Sequence, residues 1–577
     1  MIILGIADNH DAGAAVVADG ELVAAVNQER IDRVKHSGVF PWGAVDAALD
    51  CAGLKPRDVD RIVIGTAFTP SAALRAMPDW HHSRKDDGQF SPLLHAYFLY
   101  QSALRRSGLY ELEIDACRSI LVDRLKARRF ERAEVVMMDH HEAHAQGAFR
   151  TQAHDPCLVL TVDAMGDGTS ATAWVGSGGD LELRFRQSGL ACVNTFYSRI
   201  TQLLGFRPNR HEGKITGLAA YAKPPEELLA HLRTRFSVKN GRFQRMNPFQ
   251  IARPNDAFWR RILRWSREEV SAAAQQILEE MVTAFVAHHA RETGLRNIAV
   301  SGGVFANVKL NQRIAELPEV DHLWVFPHMG DGGLAAGGAL GHAGCRPRAL
   351  SNAFLGPSYG RRDLSKALER GDHPRQDAAC KTTLDGIPGD VERVAAVLAS
   401  GGAVGRFEGS MEWGPRALGH RTVLASAADP SVNTWLNERL NRSEFMPFAP
   451  IVRQQDAARW FKGIDTAAAA ARFMTVCFEC TEEFKRLAPA AVHIDGTARP
   501  QLLSPSDDPA LHALLDRMEQ LTGAPVLINT SFNLHEEPIV CTPSDAVRAF
   551  DQAKLDALWM GPYVVSRPRF GAWNARN

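Results

Sequence analysis

Short apolar runs separated by polar turns open the chain. Ile2–Ile6, Ala14–Val17 and Leu22–Val26 are continuous apolar segments, and Asp19-Gly20 between the last two is a typical hairpin dipeptide. Because buried strands are short and end at turn residues, the pattern predicts three neighbouring strands.

The same order of strands and turns recurs after residue 156. Cys157–Val162 is apolar, Gly166–Ser170 is a polar turn, and Ala171–Val175 and Leu181–Phe185 complete the copy. Two copies of one pattern indicate two related lobes with a cleft between them. In each copy the first turn offers backbone amides and a carboxylate, which is one way to hold a nucleotide phosphate and its metal.

Two later corners lead from a strand into a helix. Asn297–Asn307 passes through Gly302-Gly303, and Leu323–Gly333 contains Asp331. A helix N-terminus at such a corner can receive an anion or a ribose. Between the second copy and these corners, Glu268–Thr293 has the apolar spacing of one long helix.

The length of 577 residues exceeds what one hydrophobic core usually holds, so we expect more than one domain. The segment 349–389 is rich in turn residues. It is predicted to link an N-terminal domain at 1–348 to a second domain at 390–577.

Composition narrows the class of protein. With 66 basic and 66 acidic residues the formal net charge is zero, which argues against a broad nucleic-acid surface. The nine cysteines have no framework spacing, which suits a reducing compartment. No targeting or membrane segment is apparent. We therefore expect a cytoplasmic protein with neither nucleic acid nor membrane as a partner.

A histidine pair follows the apolar run Val135–Met138. If a helix starts there, the imidazoles of His140 and His144 lie one turn apart on one face, within reach of a single metal ion. His141 would point about a hundred degrees away, and a structural role is expected for it.

Arginines stand beside turn residues on several loops of the C-terminal part. Arg416 follows Gly414-Pro415, and Arg442 and Arg499 lie on later loops. Fork-shaped guanidinium groups suit a small phosphate or carboxylate ligand. Surface ion pairs are the alternative explanation for each arginine taken singly.

These segments carry a resemblance to a known family. Glu412–Gly419 reads Glu-Trp-Gly-Pro-Arg-Ala-Leu-Gly, and His140–Ala145 reads His-His-Glu-Ala-His-Ala. With matching segments in the same order from Gly5 to Asn533, the chain closely resembles the O-carbamoyltransferases of the nodulation-factor and antibiotic-tailoring family. The resemblance implies an α/β fold class with an N-terminal actin-like domain, built of duplicated ribonuclease H-like lobes (ASKHA), and a C-terminal YrdC-like domain.

The resemblance also implies a two-step reaction. In the family, the C-terminal domain forms carbamoyladenylate from carbamoyl phosphate and ATP. The N-terminal domain then transfers the carbamoyl group to a substrate hydroxyl at an iron-containing site. The acceptor would be a small molecule, such as an antibiotic or toxin intermediate, and a homodimer is compatible with the resemblance.

Residues that match the family's motifs take their expected roles by position. The ligands of Fe(2+) or another divalent metal would be His140, His144 and Asp331. The set that holds ATP, with Mg(2+), would be Asp163, Gly166, Asp167, Gly168, Lys214, Glu269, Gly302, Gly303 and Asn307. Carbamoyl phosphate would be bound by Arg416, Arg442, Arg499 and Asn529. His10 would be the general base for the acceptor hydroxyl, and Lys35 would contact the substrate.

One departure from the family pattern bears on anion binding. Relatives have Lys-x-Arg-Glu-x-Phe-Arg-Pro-Phe-Ala-Pro, whereas this chain has Leu440, Ser443 and Met446 at three of the charged positions. Arg442 keeps its register. The substitutions remove two cations and one carboxylate, which leaves the strength of carbamoyl phosphate binding open, since the neighbouring Arg439 could compensate for the lost charge.

Two other functions stay open on the sequence. A threonylcarbamoyl transferase acting on tRNA shares both domain types, but it needs a large basic surface. A non-enzymatic actin-like, ATP-binding regulator would need neither His10 nor the histidine pair. The acceptor itself is not defined by the sequence. Aromatic residues between Ala67 and Tyr110 would either line its pocket or pack the lobe, and they are Trp80, His81, His82, His95, Tyr97 and Tyr100.

Overall fold

A computed structural model describes residues 1–77, 92–244, 257–371, 389–442 and 445–567. The chain forms two compact units. The first comprises Met1–Gln28 and His36–Ser351, and the second comprises Glu29–Lys35 and Asn352–Asn577. A short N-terminal segment thus belongs to the second unit, although both of its flanks belong to the first.

The first unit contains a sheet built from the N-terminal copy of the strand pattern. Its strands are β1 (Ile2–Ala7), β2 (Gly13–Ala18), β3 (Glu21–Asn27), β4 (Arg61–Ile64) and β5 (Glu134–Met137). They lie in the order β3-β2-β1-β4-β5. The first three strands form an antiparallel meander, and β4 and β5 continue the sheet in parallel.

A second sheet in the same unit repeats this arrangement. Its strands are β6 (Cys157–Gly166), β7 (Thr169–Ser177), β8 (Asp180–Ser188), β11 (Asn297–Ser301) and β12 (His322–Val325); β9 (Val238–Lys239) and β10 (Arg242–Phe243) form a separate hairpin. The order is β8-β7-β6-β11-β12, again a meander followed by two parallel strands. The predicted actin-like fold of duplicated lobes is therefore confirmed.

The core of the first unit depends on a helix of small residues. Leu334–Ala343 packs on β1 and on the helix His140–Arg150. A Cβ at Gly5 would lie 1.8 Å from the Ala335 carbonyl oxygen, and one at Gly337 would lie 1.9 Å from the Ala143 carbonyl oxygen. Only glycine permits backbones to approach so closely, and this contact seats the helix that carries the histidine pair.

The second unit is built on a seven-stranded mixed sheet. Its strands are β13 (Ala403–Phe407), β14 (Arg421–Ser426), β15 (Ala449–Arg453), β18 (Gln501–Leu503), β19 (Val526–Ser531), β20 (Ala557–Met560) and β21 (Tyr563–Ser566); β16 (Phe478–Glu479) and β17 (Thr497–Ala498) form a hairpin. The order is β18-β15-β19-β14-β13-β20-β21. The helices Gly389–Ala399 and Pro509–Thr522 contribute to its main hydrophobic core, and the predicted α/β class is confirmed here too.

The α-helices of the described residues span Gln28–Asp32, Trp42–Ala52, Ala72–Ala76, Pro92–Ser107, Tyr110–Lys126, His140–Arg150, Val193–Leu203, Glu212–Leu218, Glu226–Arg233, Ala257–Ile262, Arg267–Thr293, Val308–Ala315, Leu334–Ala343, Arg361–Arg370, Gly389–Ala399, Val432–Arg439, Ala457–Trp460, Ala468–Ala471, Glu482–Leu487, Pro509–Thr522 and Pro543–Gln552. The helix Arg361–Arg370 lies in the segment predicted as a linker. Within the described ranges, every helix is too short or too polar to cross a lipid bilayer.

Candidate metal centre and active site

The helix His140–Arg150 begins immediately after β5, and Asp139 caps it. The Asp139 carboxylate accepts hydrogen bonds from the backbone of His141 (3.0 Å) and Glu142 (3.3 Å). Its other oxygen accepts from Arg186 at 2.9 Å and from Arg105. An N-cap carboxylate satisfies amides that the first helical turn leaves without partners. The start of the helix, and with it the direction of the histidines, is therefore fixed.

Two imidazoles and two carboxylates meet on this helix face. The Nε2 atoms of His140 and His144 lie 3.4 and 3.0 Å from Asp163 Oδ2. Both also lie 3.7 Å from Asp331 Oδ1. Asp163 is on β6, and Asp331 follows β12. Among the groups of potential metal ligands in the described part of the chain, this one is the most deeply buried.

The donor set fits a divalent transition metal. One ligand atom from each of the four residues lies within 4.8 Å of the others. Imidazole nitrogens with carboxylate oxygens suit Fe(II), Mn(II) or Zn(II). Neighbouring groups orient the ligands: His144 Nδ1 lies 3.1 Å from Ser301 Oγ, and Asn9 donates to Asp331 Oδ2 at 2.8 Å. Such outer contacts are a usual feature of built metal sites.

The charges and hydrogen bonds within the cluster shift the pKa values of its histidine and carboxylate groups. Burial alone lowers the pKa of His140, but the charge of Asp331 and the hydrogen bond to Asp163 raise it to about 9. Burial would raise the pKa of Asp163, yet the hydrogen bonds from both histidines hold it well below its usual range. Without a cation the cluster therefore carries an imidazolium–carboxylate pair, and a metal ion would take the place of the proton.

His141 is turned away from the cluster, as expected from its position on the helix. Its Nδ1 lies 2.6 Å from Thr161 Oγ1, and its Nε2 lies 3.1 Å from the Thr169 carbonyl oxygen. Burial, together with the neighbouring imidazoles, holds the pKa of His141 well below its usual value. The neutral ring therefore ties the helix to β6 and β7.

Three glycines predicted to hold nucleotide make room for this cluster. A Cβ at Gly166 would lie 2.1 Å from Cγ of His140, and one at Gly303 would lie 3.0 Å from Asp163 Oδ1. Gly302 has a φ of 111°, and a Cβ there would lie 2.2 Å from the Val162 carbonyl oxygen. The close approach explains why glycine is needed at 166 and 302, while a Cβ at 303 would press on the Asp163 carboxylate.

Asp167 holds backbone in this structure. Its carboxylate accepts hydrogen bonds from the amides of Ala67 (2.7 Å), Phe68 (2.9 Å) and His140 (2.9 Å). The side chain is wholly buried. Both oxygens are engaged by amides, so Asp167 has a structural role here, and its contact with phosphate stays a prediction. Gly168 completes the turn with a φ of 74°.

The remaining predicted nucleotide residues lie on other elements. Asn307 caps the helix Val308–Ala315, and its amide donates to Gln275 (2.8 Å) and Thr216 (3.2 Å). Lys214 is buried, with its ammonium 5.9 Å from the centre of the Phe206 ring. Glu269 instead accepts from the backbone of Ser266 at 2.9 Å, in a capping box that starts the helix Arg267–Thr293. The contact of Glu269 with a ribose stays a prediction.

The two predicted catalytic residues belong to different units. His10 lies in the turn between β1 and β2, with Nδ1 3.1 Å from Asp11 Oδ2. Lys35 is the last residue of the segment Glu29–Lys35, which belongs to the second unit. Within that unit, Arg30 of the same segment donates to the Gly414 carbonyl oxygen at 2.9 Å.

The loop that carries Arg416 is organised by Glu412. One oxygen of this buried carboxylate accepts from the amides of Leu418 (2.8 Å), His420 (2.8 Å) and Arg421 (3.0 Å). Three amides on one oxygen close the loop tightly, so Arg416, which is partly exposed, projects from a fixed backbone.

Asn529 holds the same loop through side-chain hydrogen bonds. Its amide donates to the Ala417 carbonyl oxygen (2.9 Å) and to Gln501 Oε1 (2.6 Å), while Gln501 donates to the Leu418 carbonyl oxygen at 2.7 Å. Both amide hydrogens of Asn529 are therefore engaged. A ligand could contact this residue through its oxygen, which accepts from Thr422 at 3.2 Å.

Arg442 holds the end of β19 and the loop that follows it. It donates to Thr530 Oγ1 (2.5 Å), to the Ser531 carbonyl oxygen (2.7 Å) and to Asn533. These bonds fix backbone, and the contact of Arg442 with carbamoyl phosphate stays a prediction. Arg499 is partly exposed and lies just after β17.

Comparison with known proteins decides the family. A family model described as Carbamoyltransferase N-terminus matches residues 2–340, and one described as Carbamoyltransferase C-terminus matches residues 395–567. The chain belongs to the carbamoyltransferase family. It is therefore a transferase, as predicted, and the family resemblance read from the sequence is confirmed.

Relatives of this carbamoyltransferase span bacteria and archaea. An uncharacterized protein of Methanocaldococcus jannaschii is 32% identical over 469 residues, which cover 76% of this chain and 75% of that protein. Nodulation protein NolNO of Sinorhizobium fredii is 28% identical, covering 97% of this chain and 79% of that protein. Nodulation protein U of Rhizobium tropici is 27% identical, covering 99% and 96%.

Solved structures add little to the fold. The activator of 2-hydroxyisocaproyl-CoA dehydratase from Clostridium difficile, with bound ADPNP, is 12% identical and covers 60% of this chain and 94% of that chain, with a TM-score of 0.32. At that level the likeness carries no argument, and the actin-like fold of the carbamoyltransferase rests on its own strand order.

Sequence reasoning missed several residues of the site. Asp163 was predicted to hold phosphate, whereas it faces both metal-candidate histidines. Its position at the end of a buried strand next to the duplicated turn is the signal that could have paired it with Asp331. Asn9 acts through a contact 322 positions away, which no local pattern shows. Glu412 accepts from amides six to nine positions ahead within its own motif, and residue types alone do not show that loop closure.

Proposed function

We propose that this carbamoyltransferase is an ATP-dependent O-carbamoyltransferase. It forms carbamoyladenylate from carbamoyl phosphate and ATP, with release of phosphate and pyrophosphate. It then transfers the carbamoyl group to a hydroxyl of a small molecule, a natural-product intermediate. The two half-reactions are assigned to the second and first units, respectively.

The observation that carries the proposal is the buried cluster of His140, His144, Asp163 and Asp331. All four lie inside the region that matches the carbamoyltransferase N-terminal family. The predicted carbamoyl phosphate residues, Arg416, Arg442, Arg499 and Asn529, all lie inside the region that matches the C-terminal family. One chain therefore carries both parts that a coupled activation and transfer would use.

In the first unit the cluster would hold Fe(2+) or another divalent ion. Such an ion supplies Lewis-acid polarisation of a carbonyl oxygen when it is bound. Asn9 and Ser301 orient the ligands through the contacts described above. His10 would accept the proton of the acceptor hydroxyl, which is a poor nucleophile while it keeps that proton. ATP, with Mg(2+), would contact the glycine turns at 166–168 and 302–303.

In the second unit carbamoyl phosphate would bind to guanidinium groups whose backbone is held by hydrogen bonds before the ligand arrives. Arg416 and Arg499 are the partly exposed members of the predicted set and would contact the phosphate. Glu412 and Asn529 hold the loop from which Arg416 projects, and Arg442 holds the loop after β19. Positioning of this kind lowers the entropy lost when the ligand binds.

The acceptor would be recognised by the first unit. Tyr97 and Tyr100 stack with their ring centres 6.3 Å apart, on the helix Pro92–Ser107. They offer aromatic area with a polar tip, which suits a hydroxylated small molecule. Trp80, His81 and His82, predicted for the same role, lie outside the described residues, as does the side chain of His95.

The first half-reaction is tested by pyrophosphate release from ATP and carbamoyl phosphate without any acceptor. Wild-type protein should release pyrophosphate only when carbamoyl phosphate is present, and Arg499→Ala should abolish the release. Arg459→Ala is the matched control, because Arg459 is exposed in the same unit and pairs only at the surface with Glu483. Absence of release from folded, metal-loaded wild-type protein would contradict the proposal.

The second half-reaction is tested separately through the metal cluster. His144→Ala should keep carbamoyl-phosphate-dependent pyrophosphate release and lose transfer to hydroxylated acceptors. The acceptor is found by screening natural-product intermediates with the wild-type protein and measuring carbamoylated product by mass spectrometry. Equal transfer by wild type and His144→Ala would remove the metal cluster from the reaction.

A further inference from the structure

A second cluster of ionisable side chains joins His10 and Asp11, in the turn between β1 and β2, to His36 from a later segment. The Asp11 carboxylate bridges two imidazoles, with Oδ2 3.1 Å from His10 Nδ1 and Oδ1 2.7 Å from His36 Nδ1. The two rings stack, with centroids 5.3 Å apart and planes 19° from parallel. Both histidines thus present the same nitrogen to one carboxylate.

The backbone holds this geometry in an uncommon conformation. Asp11 and His36 both have positive φ, 59° and 58°, which residues other than glycine seldom adopt. The amide of Ala12 donates to the Ser37 carbonyl oxygen at 2.9 Å, so the two segments are joined beside the cluster. Strained residues of this kind persist where the surrounding structure fixes them, and they concentrate at functional sites.

The location of the turn links it to the metal cluster. Asn9, the neighbour of His10, donates to Asp331. The His10 side chain is 41% exposed, against 24% for Asp11 and 24% for His36. The histidine that stands furthest out therefore has its Nδ1 on the carboxylate, while its Nε2 is on the opposite edge of the ring.

The carboxylate is ionised in this setting. Burial would raise the pKa of Asp11, but its electrostatic interactions and hydrogen bonds with His10 and His36 hold it well below its usual range. An ionised carboxylate accepts a hydrogen bond from an Nδ1–H group. It thereby selects the imidazole tautomer that is protonated on Nδ1 and carries the lone pair on Nε2. The arrangement is that of an aspartate that orients a catalytic histidine.

We infer that Asp11 is the positioning residue of the base His10, and that His36 holds Asp11 in place through its other oxygen. The inference rests on the proposed transfer reaction. The acceptor oxygen bonds to the carbamoyl carbon, and the bond from that carbon to the adenylate oxygen breaks with its electron pair leaving on AMP. The hydroxyl proton passes to His10 Nε2, and the Asp11 carboxylate offsets the charge of the resulting imidazolium.

The test compares Asp11→Asn with Asp19→Asn in the full-length, metal-loaded protein. Asp19 is the matched control, because it also occupies a turn with positive φ (49°) but is 90% exposed. Asp11→Asn should slow carbamoyl transfer about 10²-fold or more, as expected when a general base loses its orientation. Pyrophosphate release and the KM of the acceptor should stay unchanged, and Asp11→Glu should recover part of the rate.

Nitrogen NMR of histidine-labelled protein reports the tautomer of the His10 ring, which would not change if Asp11 had only a structural role. The His10 signals, assigned by their loss in His10→Asn, should show Nδ1 protonated and Nε2 unprotonated in the wild type. Asp11→Asn should mix the tautomers, and His36→Asn should do so more weakly. An unchanged tautomer in Asp11→Asn would overturn the inference.

Three results separate failure of this inference from failure of the proposed reaction. If His10→Asn abolishes transfer and Asp11→Asn does not, Asp11 has no positioning role although His10 is the base. If His10→Asn retains transfer, His10 is not the base and the inference falls with it. If wild type retains a second equivalent of Zn²⁺ or Co²⁺ that His36→Asn loses, the three side chains form a metal site instead.

Discussion

Gly166 decides where the His140 ring can lie. A methyl group at this position would meet the ring at 2.1 Å, and the ring is buried on its other sides. Gly166→Ala should therefore displace His140 and weaken divalent-metal affinity by roughly tenfold to a hundredfold, the cost typical of disturbing a ligand's support. Calorimetric titration with Co²⁺ measures this.

The matched control for that change is Gly213→Ala. A Cβ at Gly213 has no atom within 4 Å, and the residue lies in the helix Glu212–Leu218. It should leave metal affinity unchanged and keep or slightly raise stability, since alanine favours a helix. Equal metal affinity in wild type and Gly166→Ala would show that His140 does not bind the ion.

Glu412 carries a second prediction at this scale. Glu412→Ala leaves the amides of Leu418, His420 and Arg421 buried without their acceptor. Each such group costs about 1–3 kcal/mol, so we expect the free energy of unfolding to fall by about 3 kcal/mol or more. Urea denaturation measures the change. Glu412→Gln, which keeps an acceptor oxygen, should lose less, and the exposed Glu438→Ala should lose almost nothing.

Residue types and motifs indicated many residues of this site, but they did not show which side chains face a ligand and which hold neighbouring backbone. His140, His144 and Asp331 were predicted as ligands from the family motif, and the structure brings them together with Asp163. Arg442 and Asn529 match the motif equally well, yet their hydrogen bonds go to neighbouring loops. Those bonds join residues up to 112 positions apart, and sequence spacing holds no information about them.

At the scale of the element, the N-cap of the helix His140–Arg150 should affect both stability and metal binding, whereas an ordinary N-cap affects stability alone. Asp139→Ala removes the acceptor for two helix amides and the partner of two arginines. We expect a loss of about 1–2 kcal/mol in the free energy of unfolding and a weaker affinity for Co²⁺, because the first turn carries His140.

The helix Arg267–Thr293 supplies the control for this prediction. Ser266→Ala removes an N-cap of similar strength, whose hydroxyl accepts from Glu269 at 3.2 Å. It should lower stability by a similar amount and leave Co²⁺ affinity unchanged. If both variants bind Co²⁺ as the wild type does, the cap of the histidine helix does not position the site.

Elements with a clear period were predicted well. The two strand copies were confirmed, and the long helix begins one residue before its predicted start, at Arg267. A helix after the corner Leu323–Gly333 was predicted, and the structure places it at Leu334–Ala343. Its end was not predicted, because its residues are almost all apolar or glycine and show no polar face. Its small side chains are explained only by the backbones packed against it.

At the scale of the whole molecule, proton binding by the cluster makes stability depend on pH. The pKa of His140 is about 9 in the folded, metal-free protein, against the ordinary value of 6.5 expected for an unfolded chain. A raised pKa contributes stability that is fully present below pH 6.5 and is lost as pH rises through about 9. Metal-free wild type should therefore lose stability across this range.

Urea unfolding of chelator-treated protein at several pH values between about 6.5 and 9.5 measures the loss. His140→Asn should show a shallower decline over the same range, because it lacks the titrating group. A bound metal should also flatten the decline, since the ion occupies the place of the proton. Parallel curves for wild type and His140→Asn would contradict the raised pKa.

The duplicated lobes of the first unit followed from the repeated strand pattern, and the domain types of the whole chain followed from the family resemblance. The membership of Glu29–Lys35 in the second unit could not be predicted from the sequence. This segment is short, polar and continuous with the first unit on both sides. Its contacts through Arg30 and Arg33 are to carbonyl oxygens more than 380 residues away.

That segment limits how the protein can be dissected. A fragment starting at residue 352 would contain the whole seven-stranded sheet but would lack the two arginines that donate to Gly414, Pro538 and Ile539. The covalent boundary between the halves is therefore not the boundary between the folded bodies. A stable, separately expressed C-terminal half would need the peptide 29–35 supplied in trans or spliced onto it by circular permutation.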